Sequence, residues 1–392
     1  MNRAIRVLEL RSIKGTGGGP DKTILLGAAM ADRRRFEVTV TYLRDARDRE
    51  FAMDAKAASA GVDYAEVIER HSLDWKVLPA LRRLVRSRAI DVVHAHDYKT
   101  DLLAFLLART EGTIALSTAH GWSGHGLLEK LVYYPVDKRI LRRFQRVICV
   151  SKDMAQALHR VGLQRDRIVV LRNGIDHVAY RRDPALVETV RRELGFTAGE
   201  FVVGAVGRLE REKRYDLLID ACAKAARRCP QLRLVIIGDG SLRAALAAQM
   251  AKMLPAGTFQ LLGHRPDVIR LHHGLDLLAQ SSDNEGSPNA ILESMALETP
   301  VAATAVGGTP DLIDDGRDGF LVPRGDWAAL AGAIERSAGD AEGRRTRALA
   351  ARAKVVRELS FESRQRTLEA IYDQLMSERA LATRSGVAMR WA

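Results

Sequence analysis

Short apolar runs alternate with longer amphipathic stretches along almost the whole chain, and this rhythm restricts its fold more than any other feature. In the first half IRVLELRSI, FEVTVTYLR, IDVVHAHD, TIALSTAHG, RVICVS and IVVLRNG read as strands. Between them DKTILLGAAMADRR, DWKVLPALRRLVRSR, KTDLLAFLLARTEG, GLLEKLVYYPVDKRILRRF (broken near Pro135) and DMAQALHRVG have helical spacing. Strands separated by helices pair in parallel, with helices covering both faces of the sheet. Residues NGIDHVAYRRDP (173–184) interrupt the pattern, and a second run follows with FVVGAVGRL, LRLVIIGDG, TFQLLGH, LDLLAQSS and PVAATAVGG as strands. A chain of 392 residues also exceeds one ordinary core. The expectation is α/β: two doubly wound halves, 1–176 and 177–365, with a ligand cleft at the strand ends between them. A last helix, FESRQRTLEAIYDQLMSER, runs into residues 366–392, whose tail is expected to be loosely held.

Composition narrows the classes. The chain is 47% apolar and has no low-complexity tract, so it is globular. Cys149, Cys222 and Cys229 lack paired metal-type spacing and lie in or beside apolar runs, which predicts reduced core thiols. The start, MNRAIRVLELRSI, lacks the apolar region of a signal peptide, and no run approaches the ~20 apolar residues of a membrane span. A cytosolic location is expected. The net charge of +12 has three readings. A solvated arginine-rich surface is the plainest, and attraction to an anionic leaflet or to phosphorylated ligands is the sharper one. Nucleic acid comes third, because no basic–aromatic interleaving accompanies the charge.

The densest chemistry lies in EGSPNAILESMALETP, residues 285–300. LDLLAQSS leads into it as a buried strand, so Glu285 falls on the loop at that strand's carboxyl end. Ser287 and Pro288 are the expected N-cap and first position of a helix, with Glu293 in its second turn. A helix start between two carboxylates is a seat for a phosphate with hydroxyls on either side, the shape of a nucleotide sugar. GRLEREK places Arg208 and Lys213 after an earlier strand, a candidate diphosphate clamp, with Gly204 and Gly207 giving the backbone room. Two ordinary surface charges are the plainer alternative. AVGGTPDLI repeats the loop-to-helix device at Thr309 and Pro310, either as a tight turn or as a second wall of the same site. In the first half KGTGGGPDKTI brings Gly18 and Gly19 to a strand–helix junction, but its spacing fits neither a Walker loop nor a dinucleotide fingerprint. His94 and His96 share one side of a strand end; without a third ligand at suggestive spacing, a polar pair is favoured over a metal site. His120 ends another strand on the expected ligand side of the sheet.

Taken together, GTGGGPDK, VHAHDYKTD, HGW, VSKDM, NGID, GRLEREK, GDG and EGSPNAILE resemble the family 4 glycosyltransferases, retaining enzymes of the GT-B architecture, over nearly the whole chain. The last motif, with seven residues between its glutamates, is the most specific. The resemblance implies an acceptor-binding first domain, a nucleotide-sugar-binding second domain and a C-terminal helix that returns to the first. It implies that Glu293 binds the nucleotide ribose and that Arg208 and Lys213 hold the diphosphate. Glu285, with Gly286, Ser287, Pro288 and Asn289, would hold the transferred sugar. His120 would face the reaction centre, and Gly18 and Gly19 would close on the donor. His94, His96 and Lys99 would lie toward the acceptor. Many relatives carry phenylalanine where this chain has Ser287, which leaves the sugar open. No bound metal or other cofactor is implied. The expected reaction is same-face transfer of a hexosyl group from a UDP- or GDP-sugar to a saccharide or polyprenyl-diphosphate-linked acceptor, in surface polysaccharide or lipopolysaccharide assembly. The basic segment Leu127 to Arg146 would rest on an anionic membrane surface. A nucleotide-sugar epimerase, a glycan phosphorylase, a non-catalytic nucleotide-sugar sensor and a nucleic-acid-binding protein are the alternatives.

Overall fold

A computed structural model describes residues 3–71, 74–121 and 129–384. The chain divides into two compact units, Met1–Arg172 with Glu362–Ala392, and Asn173–Phe361. The junction falls at 172 rather than 176, because the NGID segment bonds within the second unit. Asn173 bonds to Ser287 and Asn289, and Ile175 pairs with the backbone of Leu359 and Phe361.

Among the described residues the first unit carries β1 (Ile5–Ile13), β2 (Phe36–Asp45), β3 (Asp63–Glu69), β4 (Val92–Ala95), β5 (Ile114–Ala119), β6 (Arg146–Cys149) and β7 (Ile168–Val170). They form one sheet in the order β3-β2-β1-β4-β5-β6-β7, and every pair is parallel. Alternate residues of the central strands serve opposite faces. Leu8, Leu10, Val93 and Ala95 pack under the helices Val77–Ser87 and Tyr98–Glu111. Val7, Val92, Ile114, Leu116 and Ile148 pack against Leu368, Ile371, Tyr372 and Leu375 of the helix Phe361–Arg384. Arg146–Glu378 and Asp91–Arg379 ion pairs fasten the rim of that contact. The last helix is therefore part of the first unit's core. Residues 385–392 of the expected loose tail lie outside the described residues.

The second unit carries β8 (Phe201–Val206), β9 (Leu232–Ile237), β10 (Phe259–Leu261), β11 (Leu277–Gln280), β12 (Val301–Thr304) and β13 (Phe320–Val322). Its sheet has the order β10-β9-β8-β11-β12-β13, again parallel throughout. In each sheet the order reverses at one place, between β1 and β4 and between β8 and β11. The strand-end loops diverge there and leave room for a ligand.

The strands β3 and β13 escaped the sequence reading. Both are edges: DYAEVIE carries three acidic residues, and FLV is only three residues long, so neither presents the apolar run of a central strand. The long helix expected to break near Pro135 is, in its described part, a π-type turn, Glu129–Tyr133, running into an α-helix, Tyr134–Leu141; proline's missing N–H fits such a register change. All three cysteines are free and buried, and burial pushes the Cys149 and Cys222 thiols up to about 12, so they stay protonated core groups. Among the described residues no helix is long and apolar enough to cross a membrane.

Candidate functional site

In the second unit the reversal point brings together the loops after β8 and β11. Lys213 ends a short 3₁₀ turn, Arg211–Lys213, and Arg214 follows in the left-handed region (φ 48°, ψ 42°). A non-glycine residue pays for that conformation unless its surroundings fix it. Here they do. The Ser281 hydroxyl reaches the carbonyls of Lys213 and Arg214 at 2.9 and 2.7 Å, the Asp283 N–H donates to the Glu212 carbonyl at 2.8 Å, and Arg214 pairs with Asp283 at 3.2 Å. So stitched, the two loops set Lys213 Nζ 2.6 Å from Glu285 Oε1. The same oxygen accepts from Ser282 Oγ at 2.6 Å and from the Gln280 amide. Arg208 stands apart from this cluster, its side chain 70% exposed and paired with Glu212 at 2.9 Å.

The loop after β12 closes on the same place. Gly307 has φ +51°, and a Cβ there would lie 1.7 Å from the Glu285 carbonyl oxygen, so only glycine lets the loops touch. Gly308 N–H donates to that carbonyl at 3.3 Å, and Thr309 and Pro310 open the short helix Thr309–Leu312 as expected. The loops after β8 and β9 meet in the same way, where a Cβ on Gly238 would lie 1.9 Å from the Gly207 carbonyl oxygen. Gly204 has a different use from the one its sequence suggested. Leu275 fills the space of its missing side chain, so it serves packing and not ligand approach.

The helix after Glu285 spans Asn289–Ala296, one residue later than expected, with Pro288 at the N-cap. Ser287 is not the cap. Its hydroxyl instead accepts from the Asn173 N–H at 3.2 Å, while the Asn173 side-chain amide donates to the Ser287 carbonyl (3.1 Å) and to Asn289 Oδ1 (3.0 Å). Asn173 thus pins the loop of Gly286, Ser287 and Pro288 from below. Glu293 is 5% exposed and accepts from the Tyr180 hydroxyl at 3.4 Å. Burial and the neighbouring Glu293 both raise the Tyr180 phenol, which remains a donor.

In the first unit the reversal point gathers a second polar group. Glu9 of β1, His94 of β4 and His96 just beyond it are all buried. Glu9 Oε2 lies 2.5 Å from His96 Nε2, and Glu9 Oε1 accepts from the Tyr372 hydroxyl at 2.8 Å. His94 Nδ1 is 2.8 Å from that hydroxyl and its Nε2 is 2.7 Å from Thr118 Oγ1. His96 Nδ1 is 3.1 Å from His120 Nε2, the two rings edge to edge and within 25° of parallel. Burial works against the Glu9 carboxylate, but His94 and His96 outweigh it and hold Glu9 well below its ordinary range. Burial lowers His96 to about 4 and lowers His120 well below its ordinary value, with Arg11 and Arg364 adding to the effect on His120.

One ligand atom from each of Glu9, His94 and His96 falls within 4.8 Å of the others, a spacing that could hold a cation. Both nitrogens of both histidines, however, already have hydrogen-bond partners, which suits a polar relay better than a metal centre. The sequence offered no third member because Glu9 is 85 residues from His94. Its one local signal is a lone carboxylate between Leu8 and Leu10 in a central strand.

The acceptor candidates need correction on this geometry. His94 is 0% exposed with both nitrogens occupied, and it has no atom to offer a ligand. His96 is enclosed between Glu9 and His120, and Lys99 is tied to Glu69. His120 is half-buried, so it keeps an exposed edge. Gly18 is the N-cap of the helix Gly19–Met30; Asp21 accepts its N–H at 2.6 Å, and a Cβ there would meet open space.

Residues 187–354 match the family described as Glycosyl transferases group 1, and residues 17–178 match Glycosyltransferase Family 4. The 2-deoxystreptamine N-acetyl-D-glucosaminyltransferase of Streptomyces fradiae is 30% identical over 309 residues, 75% of this chain and 73% of that protein. The UDP-Gal:alpha-D-GlcNAc-diphosphoundecaprenol alpha-1,3-galactosyltransferase of Escherichia coli is 28% identical over 277 residues, 68% of this chain and 71% of that one. The crystal structure of Anabaena HepE with UDP-glucose matches with a TM-score of 0.83 at 22% identity, covering 95% of this chain and 100% of that one, a likeness of fold. The two matched segments and the two parallel sheets agree, and the chain belongs to glycosyltransferase family 4, a glycosyltransferase of the GT-B fold.

Proposed function

We propose that this enzyme moves a hexosyl group, with retention at the anomeric carbon, from a UDP- or GDP-sugar to a saccharide or lipid-linked saccharide in surface glycoconjugate assembly. The observation that carries the reading is Lys213 seated 2.6 Å from Glu285 where the loops after β8 and β11 meet, beside the start of the helix Asn289–Ala296. A diphosphate arriving there draws Lys213 and the exposed Arg208 to itself and frees Glu285 to accept hydroxyls of the sugar. Glu293, already a partner of the Tyr180 hydroxyl, takes the ribose diol. When the anomeric carbon–oxygen bond breaks, negative charge gathers on the leaving diphosphate and positive charge on the ring. Arg208, Lys213 and the helix amides stabilise the first, the place where such stabilisation accelerates most. In this reading they do so without a divalent ion. The acceptor oxygen bonds to the same face that the phosphate leaves, and its proton passes to the departing phosphate oxygen.

The acceptor reading has two supports. A relative is named for a diphosphoundecaprenol-linked acceptor. In this chain Arg139, Arg142 and Arg143 line one hollow with Arg167, while Leu131, Val132 and Val136 are exposed nearby along the chain. Basic groups beside apolar ones suit an anionic membrane surface. Residues 127 and 128 of the expected membrane segment lie outside the described residues.

The deciding assay incubates the enzyme with UDP-, GDP- and ADP-sugars, with and without lipid-linked acceptors, and measures nucleotide release and the anomeric configuration of the product. Release stimulated by one acceptor, with a retained anomer, is expected. Tight nucleotide binding without release under any condition would mark a non-catalytic sensor, and an inverted anomer would remove the retaining course. Vesicle sedimentation at background level in low salt would remove the membrane surface.

A further inference from the structure

With His96 neutral, the hydrogen bonds of the buried group at the reversal point of the first sheet admit one proton arrangement. Glu9 is a carboxylate and can only accept, so the His96 nitrogen 2.5 Å away, Nε2, carries a proton. Burial keeps His96 neutral, which leaves its Nδ1 a bare acceptor. The partner of that Nδ1, 3.1 Å away, is His120 Nε2, which must then be the donor. In a neutral His120 this leaves Nδ1 with a lone pair and no proton. Among the described residues Nδ1 has no hydrogen-bond partner, and His120 is half-buried. The far end of the relay is equally fixed. The Tyr372 hydroxyl spends its proton on Glu9 Oε1, so it accepts from His94 Nδ1–H, and His94 Nε2 accepts from Thr118. Arg11 from β1 and Arg364 from the last helix add positive charge around His120 and oppose its protonation.

We propose that Glu9 and His96 are positioning residues that lock His120 as the Nε2-protonated neutral imidazole, so that its Nδ1 meets the ligand as a hydrogen-bond acceptor for a hydroxyl group. The ligand half of this rests on the reading of His120 as a sugar contact. An imidazole so fixed selects an alcohol over an anion, because an oxyanion needs an N–H that Nδ1 does not offer. It also spares the ligand the cost of choosing a tautomer on binding, since the side chain is already in the productive form. The carboxylate sits two imidazoles away and touches no ligand. Its effect passes through His96 alone.

Long-range proton–nitrogen correlation spectra of the 15N-labelled wild-type protein at neutral pH test the lock without any substitution. His120 is expected to show a protonated Nε2 and an unprotonated Nδ1; an Nδ1–H form or an imidazolium overturns the proposal. In His96→Phe, which keeps an aromatic ring in place but no acceptor, the His120 signals are expected to become a mixture of tautomers. Turnover with the most active sugar nucleotide is expected to fall about tenfold, the scale of one hydrogen bond. Unchanged His120 signals and unchanged turnover in His96→Phe, with turnover lost in His120→Ala, overturn the relay and leave the sugar-contact reading standing. Unchanged turnover in His120→Ala overturns the contact reading and with it the ligand half, while the wild-type spectrum still decides the tautomer.

Discussion

Single residues in the second unit carry separable duties. Lys213 and Glu285 form a half-buried ion pair, yet Glu285 keeps Ser282 and the Gln280 amide as donors if the ammonium is removed. Lys213→Ala is therefore expected to lower stability by only about 1 kcal/mol, one hydrogen bond's worth. Turnover is expected to fall roughly 100-fold, the scale of one lost electrostatic donor at a developing anion. Parallel melting and nucleotide-release measurements check this; losses that track each other would make the lysine structural. The placement of Glu285 on a strand-end loop and of Glu293 in the helix that follows was legible in the sequence, because it depends on local spacing across one strand–loop–helix junction. Asn173 was not. It lay in a motif that could be read, but its three bonds to Ser287 and Asn289 cross more than 110 residues.

At the scale of elements, loops after neighbouring strands support one another through glycine contacts and buried polar groups. Gly307→Ala must part the loops after β11 and β12, since the added carbon would lie 1.7 Å from the Glu285 carbonyl oxygen in a left-handed conformation. A loss of about 2 kcal/mol or more is expected, together with weaker nucleotide binding by calorimetry. Its reverse, a stable variant with unaltered affinity, would show that the two loops move independently. The histidine group gives the first unit a pH dependence. Folding lowers His96 from 6.5 to about 4, so between those values the unfolded chain holds a proton that the folded one does not. Stability then falls as the pH is lowered through that window, by roughly 3 kcal/mol at its lower end. Glu9, held below its ordinary value, adds a loss of the same sign below pH 4.5. Amide exchange of β4 across pH 7 to 4 measures it, and His96→Phe should flatten the profile.

For the whole molecule, the chain leaves the first unit at Arg172 and returns to it at Glu362. Leu368, Ile371, Tyr372 and Leu375 cover one face of the first sheet, and Tyr372 completes the Glu9–His94 network across 363 residues. Truncation after Phe361 would bare Val7, Val92, Ile114, Leu116 and Ile148, and is expected to yield insoluble protein; a soluble product with intact nucleotide-release activity would show that the helix is dispensable. The sequence alone determined the α/β class, the repeat of the pattern in two halves, the strand-end position of each functional loop and the paired glutamates. All of these follow from periodicity and from spacings within one supersecondary unit. Only the tertiary structure decided which loops meet, that Lys213 pairs with Glu285, that His94 is buried with both ring nitrogens occupied, and that Glu9, His96 and His120 are linked by hydrogen bonds. The physical reason is sheet order. Where the order of a parallel sheet reverses, the two neighbouring strands are not consecutive in the chain, so the residues that meet there are set by topology and not by distance along the sequence.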